Sequence, residues 1–267
     1  MNISFIGGGV MAEALIRGIL DRKISKPSEL LICDPSGERR TYLEAEFSVK
    51  TSPTNDGASN FAKLIILAIK PQAVEKIFSS LNGTMKNESI VMSIVAGLKS
   101  ESITQGLAHD LIVRVMPNTP AQIGLGISVW TALPGISDVD KKLIKKVLQT
   151  LGDEYFVRDE TLLDMSTALS ASGPAYVYLF IESFIDAGVY LGMPRDMARH
   201  LVLQTVLGST ELIKKTGKHP AELKDMVTSP AGTTIGALVS MENDSLRAAV
   251  INGVRKAYER TLELGEK

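Results

Sequence analysis

A chain of 267 residues with 45% hydrophobic and 22% charged residues can bury one large core or two ordinary ones, and it is globular rather than disordered. Its formal net charge of −1 offers no basic field for nucleic acid. The single cysteine, Cys33, permits neither a disulfide framework nor a thiolate metal site, and His109, His200 and His219 lack zinc-site spacing, so no metal is expected. No apolar run reaches membrane-spanning length, and residues 2–6 already read as a strand rather than a leader. A soluble, cytoplasmic protein with no membrane partner is expected.

In chain order, residues 3–6 form an apolar strand, a glycine turn follows, and Met11, Leu15 and Ile19 then recur four apart on a helix. Further apolar runs at 29–34, 64–69, 89–97 and 111–116 alternate with helical segments at 37–47, 71–81 and 100–107. The run at 64–69 has no polar alternation, as in a strand buried on both faces. Repeated βα units of this length predict a parallel sheet wrapped by helices. Segments 126–132 and 154–157 add strands on either side of a charged helix at 138–151.

After about Asp159 strand-like runs stop. Helices are predicted at 160–170, 174–191, 194–215, 220–226, 233–241 and 246–264. Pro174, Pro194 and Pro220 suit the first helical position, and Gly192 and Gly217 suit C-terminal caps. The reading is therefore an α/β Rossmann-type N-terminal domain over residues 1–159, followed by an all-helical C-terminal domain over 160–267.

Gly7-Gly8-Gly9-Val10-Met11-Ala12, after Ile6 at the strand end, fits G-x-G-x-x-A between a strand and a helix. Gly7 permits the tight turn, Gly9 lets backbone approach a pyrophosphate, and Ala12 lets the helix pack closely on the sheet. The helix N-terminus offers N–H donors and partial positive charge to phosphates. The alternative is a purely structural glycine turn. Asp34, ending the second strand, is placed to bond a ribose 2′-hydroxyl, which favours NADH, yet Arg39 and Arg40 follow and can pair with a 2′-phosphate, which favours NADPH. Sequence leaves that choice open.

Two loops at later strand ends complete the crevice. Ala68-Ile69-Lys70-Pro71 follows the third apolar run, where Lys70 is either a phosphate partner or a solvated lysine. Met116-Pro117-Asn118-Thr119-Pro120 is stiffened by two prolines, and the Asn118 amide can orient a carboxamide or ribose. Asn55 either caps a helix or faces the adenosine side.

The long helix SGPAYVYLFIESFIDAGVYLG (172–192) contains no lysine or histidine, so a base for alcohol oxidation is missing there. Glu182 and Asp186, four apart, read more simply as a solvated helical pair than as paired acid and base. A substrate that is already electrophilic, such as a protonated imine, needs positioning and hydride but no strong enzyme base. Further on, Ser229-Pro230-Ala231-Gly232-Thr233-Thr234 is a tight small-residue loop feeding a helix. Free N–H groups at Gly232 and Thr233 would face an anion, a carboxylate above all, and Thr233 or Thr234 can present a hydroxyl beside it. Plain N-capping by Ser229 or Thr233 is the competing reading.

Taken together, IGGGVMAEALIRG, AIKP, MPNTP, SGPAY and HPAELKDMVTSPAGTTIGALVSME occur in order over nearly the whole chain, and they resemble the pyrroline-5-carboxylate reductase family. The resemblance implies a Rossmann domain, a helical dimerisation domain, a homodimer or larger homo-oligomer, and reduction of 1-pyrroline-5-carboxylate to L-proline with NADPH or NADH. It also implies that Ile6 to Ala12, Ala68 to Pro71, Asn55 and Asn118 lie at the cofactor. Ser229 to Thr234 would hold the substrate carboxylate through Gly232 and Thr233, with Thr234 on the ring nitrogen. Two departures stand out. Ala231 replaces the family's usual glycine and is expected to narrow the pocket or restrict the turn, and Asp34 stands where members using NADPH often carry a small polar residue. Another small cyclic imine, a keto acid, or a dinucleotide-binding sensor without turnover remain the rival readings.

Overall fold

A computed structural model describes residues 1–265. Eight strands form one sheet: β1 (Ile3–Ile6), β2 (Leu30–Cys33), β3 (Lys50–Ser52), β4 (Leu64–Leu67), β5 (Ile90–Ser93), β6 (Ile112–Met116), β7 (Gly126–Ala132) and β8 (Gly152–Phe156), in the order β3-β2-β1-β4-β5-β6-β7-β8. Helices α1 (Val10–Asp21), α2 (Gly37–Phe47), α3 (Ala58–Phe61), α4 (Val74–Leu81), α5 (Ser100–Leu107) and α6 (Asp138–Leu148) accompany it. Side chains alternate between two buried layers. Ile3, Phe5, Ile32, Leu64 and Ile66 pack with α1, α2 and α6, whereas Ile6, Cys33, Ile65 and Leu67 pack with α3, α4 and α5. Burial on both faces explains why these strands read as unbroken apolar runs.

The strands of the repeated βα units, β1 to β6, pair in parallel as expected, and the sheet turns mixed at one edge. β7 runs antiparallel to β6, and β8 is parallel to β7. The connection between β6 and β7, residues 117–125, is shorter than the roughly dozen residues a parallel crossover needs. Other boundaries also shift. Residues 71–73 and 149–151 wind as 3₁₀ turns rather than α-helix, and β3 and α3 were not anticipated, being too short to show periodicity.

Beyond the sheet come α7 (Glu160–Ser166), α8 (Gly173–Tyr190), α9 (Arg195–Thr216), α10 (Pro220–Met226), α11 (Thr233–Asn243) and α12 (Leu246–Gly265). The predicted helix 160–170 is not uniform, because Thr167–Ala171 forms a π-helical turn closed by the Ser172 N–H on the Thr167 carbonyl at 3.0 Å. The hydroxyls of Ser166 and Thr167 both donate back to the Leu163 carbonyl, a pattern that loosens the ladder. Pro220 opens α10 as expected, but Pro194 is the N-cap of α9 and Pro174 is the second residue of α8. By contacts the chain divides into two compact units: Met1–Ser172 with the end of α12 from Ala257, and Gly173–Lys256.

One charged group lies deep in the first unit. Arg114, on β6, is 1% exposed, donates to Glu160 at 2.6 Å and to Asp164 at 2.8 Å, and so ties α7 to the sheet. Burial pushes the Glu160 carboxyl up, but the Arg114 guanidinium and the Ser100 N–H outweigh it and hold it below the ordinary carboxylate range. A folded-state value lowered in this way adds stability above the unfolded pKa, and that stability is lost as pH falls through the folded one. Arg114→Ala is expected to cost about 3–5 kcal/mol by stranding two partly buried carboxylates. Glu160→Gln should flatten the acid limb of stability below about pH 4.5. Denaturant melts of both variants between pH 3 and 7 check this.

Candidate active site

The ends of β1, β2 and β4 are level. The Gly7 N–H donates to the Cys33 carbonyl at 2.8 Å, and the Ala68 N–H donates to the Ile6 carbonyl at 2.8 Å. Strand order reverses between β1 and β4, the switch point where ligands of open α/β sheets bind. A cleft of about 680 Å³ opens there. Of the residues expected at the cofactor, Ile6, Gly7, Gly9, Asp34, Asn55, Ala68, Ile69 and Lys70 line it.

Gly7 has φ +96°, and a Cβ on it would sit 2.4 Å from the Ala68 carbonyl oxygen, so no other residue fits without moving backbone. Gly9 differs. It is the N-cap of α1 with φ −65°, no side chain caps this end, and a Cβ there would meet nothing within 4 Å. The space beside Gly9 and the uncapped first-turn N–H groups of α1 fit a pyrophosphate.

Several expected residues stand apart from the lining. Gly8 donates its N–H to Asp34 Oδ2 at 2.8 Å, Ala12 is fully buried in the core, Val10 is exposed and Met11 packs on the core edge. Pro71 lines a neighbouring cleft with Val95 to Lys99 and Leu264. The Asn118 amide is committed to its own surroundings, accepting the Ile127 N–H at 2.9 Å and donating to the Ser170 carbonyl at 3.4 Å. Pro53, Thr54 and Asp56 after β3, and Lys76, Ile77 and Ser80 on α4, line the cleft although sequence reasoning missed them. Their signal was hidden behind a three-residue strand and on an ordinary amphipathic helix. Cys33 also lines it, with its thiol pushed up to about 11 by burial and then by the Asp56 carboxylate. Among the described residues no group of three or more His, Cys, Asp or Glu is placed to hold a metal.

In the second unit, the N-cap of α11 is Gly232, and no side chain caps it. Capping by Ser229 or Thr233 is therefore not what the loop does. The expectation of a free Gly232 N–H is corrected as well, since it donates to the Ser229 carbonyl at 3.1 Å. The uncapped donors begin at Thr233, one residue later, backed by the dipole of α11. A Cβ on Gly232 would lie 2.3 Å from Ser229 Oγ, so any larger residue there would turn that hydroxyl aside.

Ala231 has φ +56°, the left-handed region that costs an L-residue about 1–2 kcal/mol. Ala231→Gly is expected to stabilise the protein by about 0.5–1 kcal/mol after the larger entropy of the unfolded glycine chain is subtracted. Thermal melts of the two proteins check it.

Helix α8 has no buried residue; Tyr178 is 58% and Leu179 64% exposed, with Phe180 and Phe184 exposed beside them. An exposed apolar face of this kind marks an interaction surface. Glu182 and Asp186 are on α8, and Asp186 pairs with Arg195 at 2.8 Å on the surface.

Comparison with known proteins agrees with this arrangement. Residues 160–264 match the family described as pyrroline-5-carboxylate reductase dimerisation, and residues 2–97 match NADP oxidoreductase coenzyme F420-dependent. The chain is 42% identical to pyrroline-5-carboxylate reductase of Synechocystis sp. over 100% of this chain and 99% of that one. It is 36% identical to the Arabidopsis thaliana enzyme of the same name over 99% and 96%. A solved Plasmodium falciparum pyrroline carboxylate reductase with NADP bound superimposes with a TM-score of 0.88 at 32% identity, covering 99% and 98%.

Proposed function

Because the chain belongs to the pyrroline-5-carboxylate reductase family, we propose that it reduces the C=N bond of 1-pyrroline-5-carboxylate to give L-proline, the last step of proline biosynthesis. NADPH or NADH, bound in the first unit, supplies the hydride. The observation that carries the reading is the pair of uncapped helix N-termini, α1 beside the switch-point cleft and α11 after the TSPAG loop. One suits a pyrophosphate and the other a carboxylate.

Site roles follow from these positions. Gly7 and Gly9 shape the turn, with Gly8, Val10, Met11 and Ala12 carrying it into α1. Ile6, Asp34, Asn55 and Ala68 to Lys70 form the walls of the cofactor cleft, while Pro71 and Asn118 stiffen the loops that flank it. Ser229, Ala231 and Gly232 fix the loop, and the Thr233 N–H receives the substrate carboxylate. The Thr234 hydroxyl bonds the ring nitrogen and holds it for protonation from solvent. α8 carries no lysine or histidine, and its Asp186 is paired with Arg195 on the surface, so no dedicated base or acid is assigned to it. The protein's share of catalysis is orientation and electrostatics.

The division of labour places cofactor binding in residues 1–159 and substrate binding with dimerisation in 160–267. The exposed apolar face of α8 supports a homo-oligomer, a dimer or larger. No described helix is long and apolar enough to cross a membrane, and cytoplasmic residence is part of the proposal. The deciding experiment is the initial rate of NADPH or NADH oxidation with 1-pyrroline-5-carboxylate, beside a panel of other cyclic imines and keto acids. Turnover confined to a keto acid, or none with any substrate while the nucleotides still bind, would reject the assignment. Light scattering should find at least twice the 28.8 kDa chain mass.

A further inference from the structure

The geometry points to a site built for NADH rather than NADPH, an inference that rests on reading the switch-point cleft as the dinucleotide site. Asp34 lines that cleft from the tip of β2, and both of its carboxylate oxygens are held. Oδ2 accepts the Gly8 N–H at 2.8 Å and Oδ1 accepts the Ser36 N–H at 2.9 Å. An acid anchored at both oxygens to the glycine turn and to the α2 cap cannot swing aside for a 2′-phosphate. Each oxygen still has lone-pair capacity for a hydroxyl donor, which a ribose 2′-hydroxyl supplies and a phosphate ester does not.

The two arginines that would neutralise a 2′-phosphate are engaged elsewhere. Arg39 donates through Nε to the Gly8 carbonyl, pairs with Glu13 at 2.5 Å and lies over the Tyr42 ring. Arg40 donates to the Asp34 and Pro35 carbonyls at 2.7 and 3.0 Å. Neither lines the cleft. A second acid, Asp56, lines it near Thr54 and Asn55, whereas the lining cations, Lys70 and Lys76, come from the loop after β4 and from α4. A 2′-phosphate on the Asp34 side would therefore meet like charge, which disfavours it relative to a 2′-hydroxyl. In this chain Arg39 and Arg40 act as braces of the glycine turn and of the β2 tip.

The test is binding to the intact protein, read by cofactor fluorescence, with competition by 5′-AMP and 2′,5′-ADP, and in parallel kcat/KM for the two reduced cofactors. NADH is expected to bind about tenfold or more tightly than NADPH, and 5′-AMP should compete better than 2′,5′-ADP. Asp34→Asn should narrow or reverse the ratio. Arg39→Ala and Arg40→Ala should weaken both cofactors by similar factors. Equal or tighter binding of NADPH overturns the inference, as does a loss confined to NADPH in either arginine variant or an unchanged ratio in Asp34→Asn. Absence of binding by all four nucleotides would instead sink the underlying cofactor-site reading, and the inference with it.

Discussion

Gly9→Ala is expected to weaken dinucleotide binding about 100-fold or more while lowering stability by only about 0.5–1 kcal/mol. The stability cost is the ordinary one of placing alanine at a helix N-cap, since a Cβ at Gly9 meets no protein atom within 4 Å and its φ of −65° suits any residue. The binding loss comes from a methyl group standing in the space beside the uncapped first turn of α1. A displaced pyrophosphate forfeits hydrogen bonds to a charged group, each worth about 1.5–3 kcal/mol, and two of them account for a factor of 100 or more. Gly7→Ala should behave differently. Its Cβ would overlap the Ala68 carbonyl at 2.4 Å with φ +96°, so both stability and binding should fall. Isothermal titration with NADH beside thermal melts separates the two cases. A Gly9→Ala protein that binds like wild type would remove the glycine turn from the cofactor site.

That contrast also shows what was legible before the fold was known. The glycine pattern, its strand and its helix are local features, so Gly7, Gly9 and Ala12 could be given distinct physical roles from spacing alone, and the structure places them in three different settings. The strands buried on both faces were equally plain, because nothing polar interrupts Leu64–Leu67. What escaped was information carried by non-local geometry. The reversed direction of β7 depends on how a short loop closes, and the π-helical turn at Thr167–Ala171 depends on hydroxyls bonding back to Leu163. Asp56 and Lys76 join the cleft only because β3 and α4 flank β2 and β4 in space. Asn118 is the instructive residue, since its amide was free to bond a ligand in the sequence and is engaged by Ile127 and Ser170 in the fold. The arginines after Asp34 teach the same lesson. Their charge was visible, but the carbonyls they serve were not.

Thr234→Ala is expected to lower kcat by about 100-fold, in the range seen when one oriented donor is removed from a developing charge, while dinucleotide affinity stays within about twofold. The separation follows from position. Thr234 sits in the first turn of α11, whereas the residues lining the cofactor cleft all come from the segment Ile6 to Ser80. The helix terminus itself survives the change, because Gly232 remains the N-cap and the Thr233 N–H is untouched, so KM for the imine should rise only modestly. Thr234→Ser keeps the hydroxyl and should recover most of the rate, which a purely packing role for the methyl group would not produce. The pH profile adds a second reading. With Thr234 orienting the ring nitrogen and solvent supplying the proton, the alkaline limb of kcat/KM should track deprotonation of the iminium in both wild type and Thr234→Ser. A new ionisation in the wild-type profile that no imine accounts for would place a general acid in the site and displace Thr234 from the role given to it.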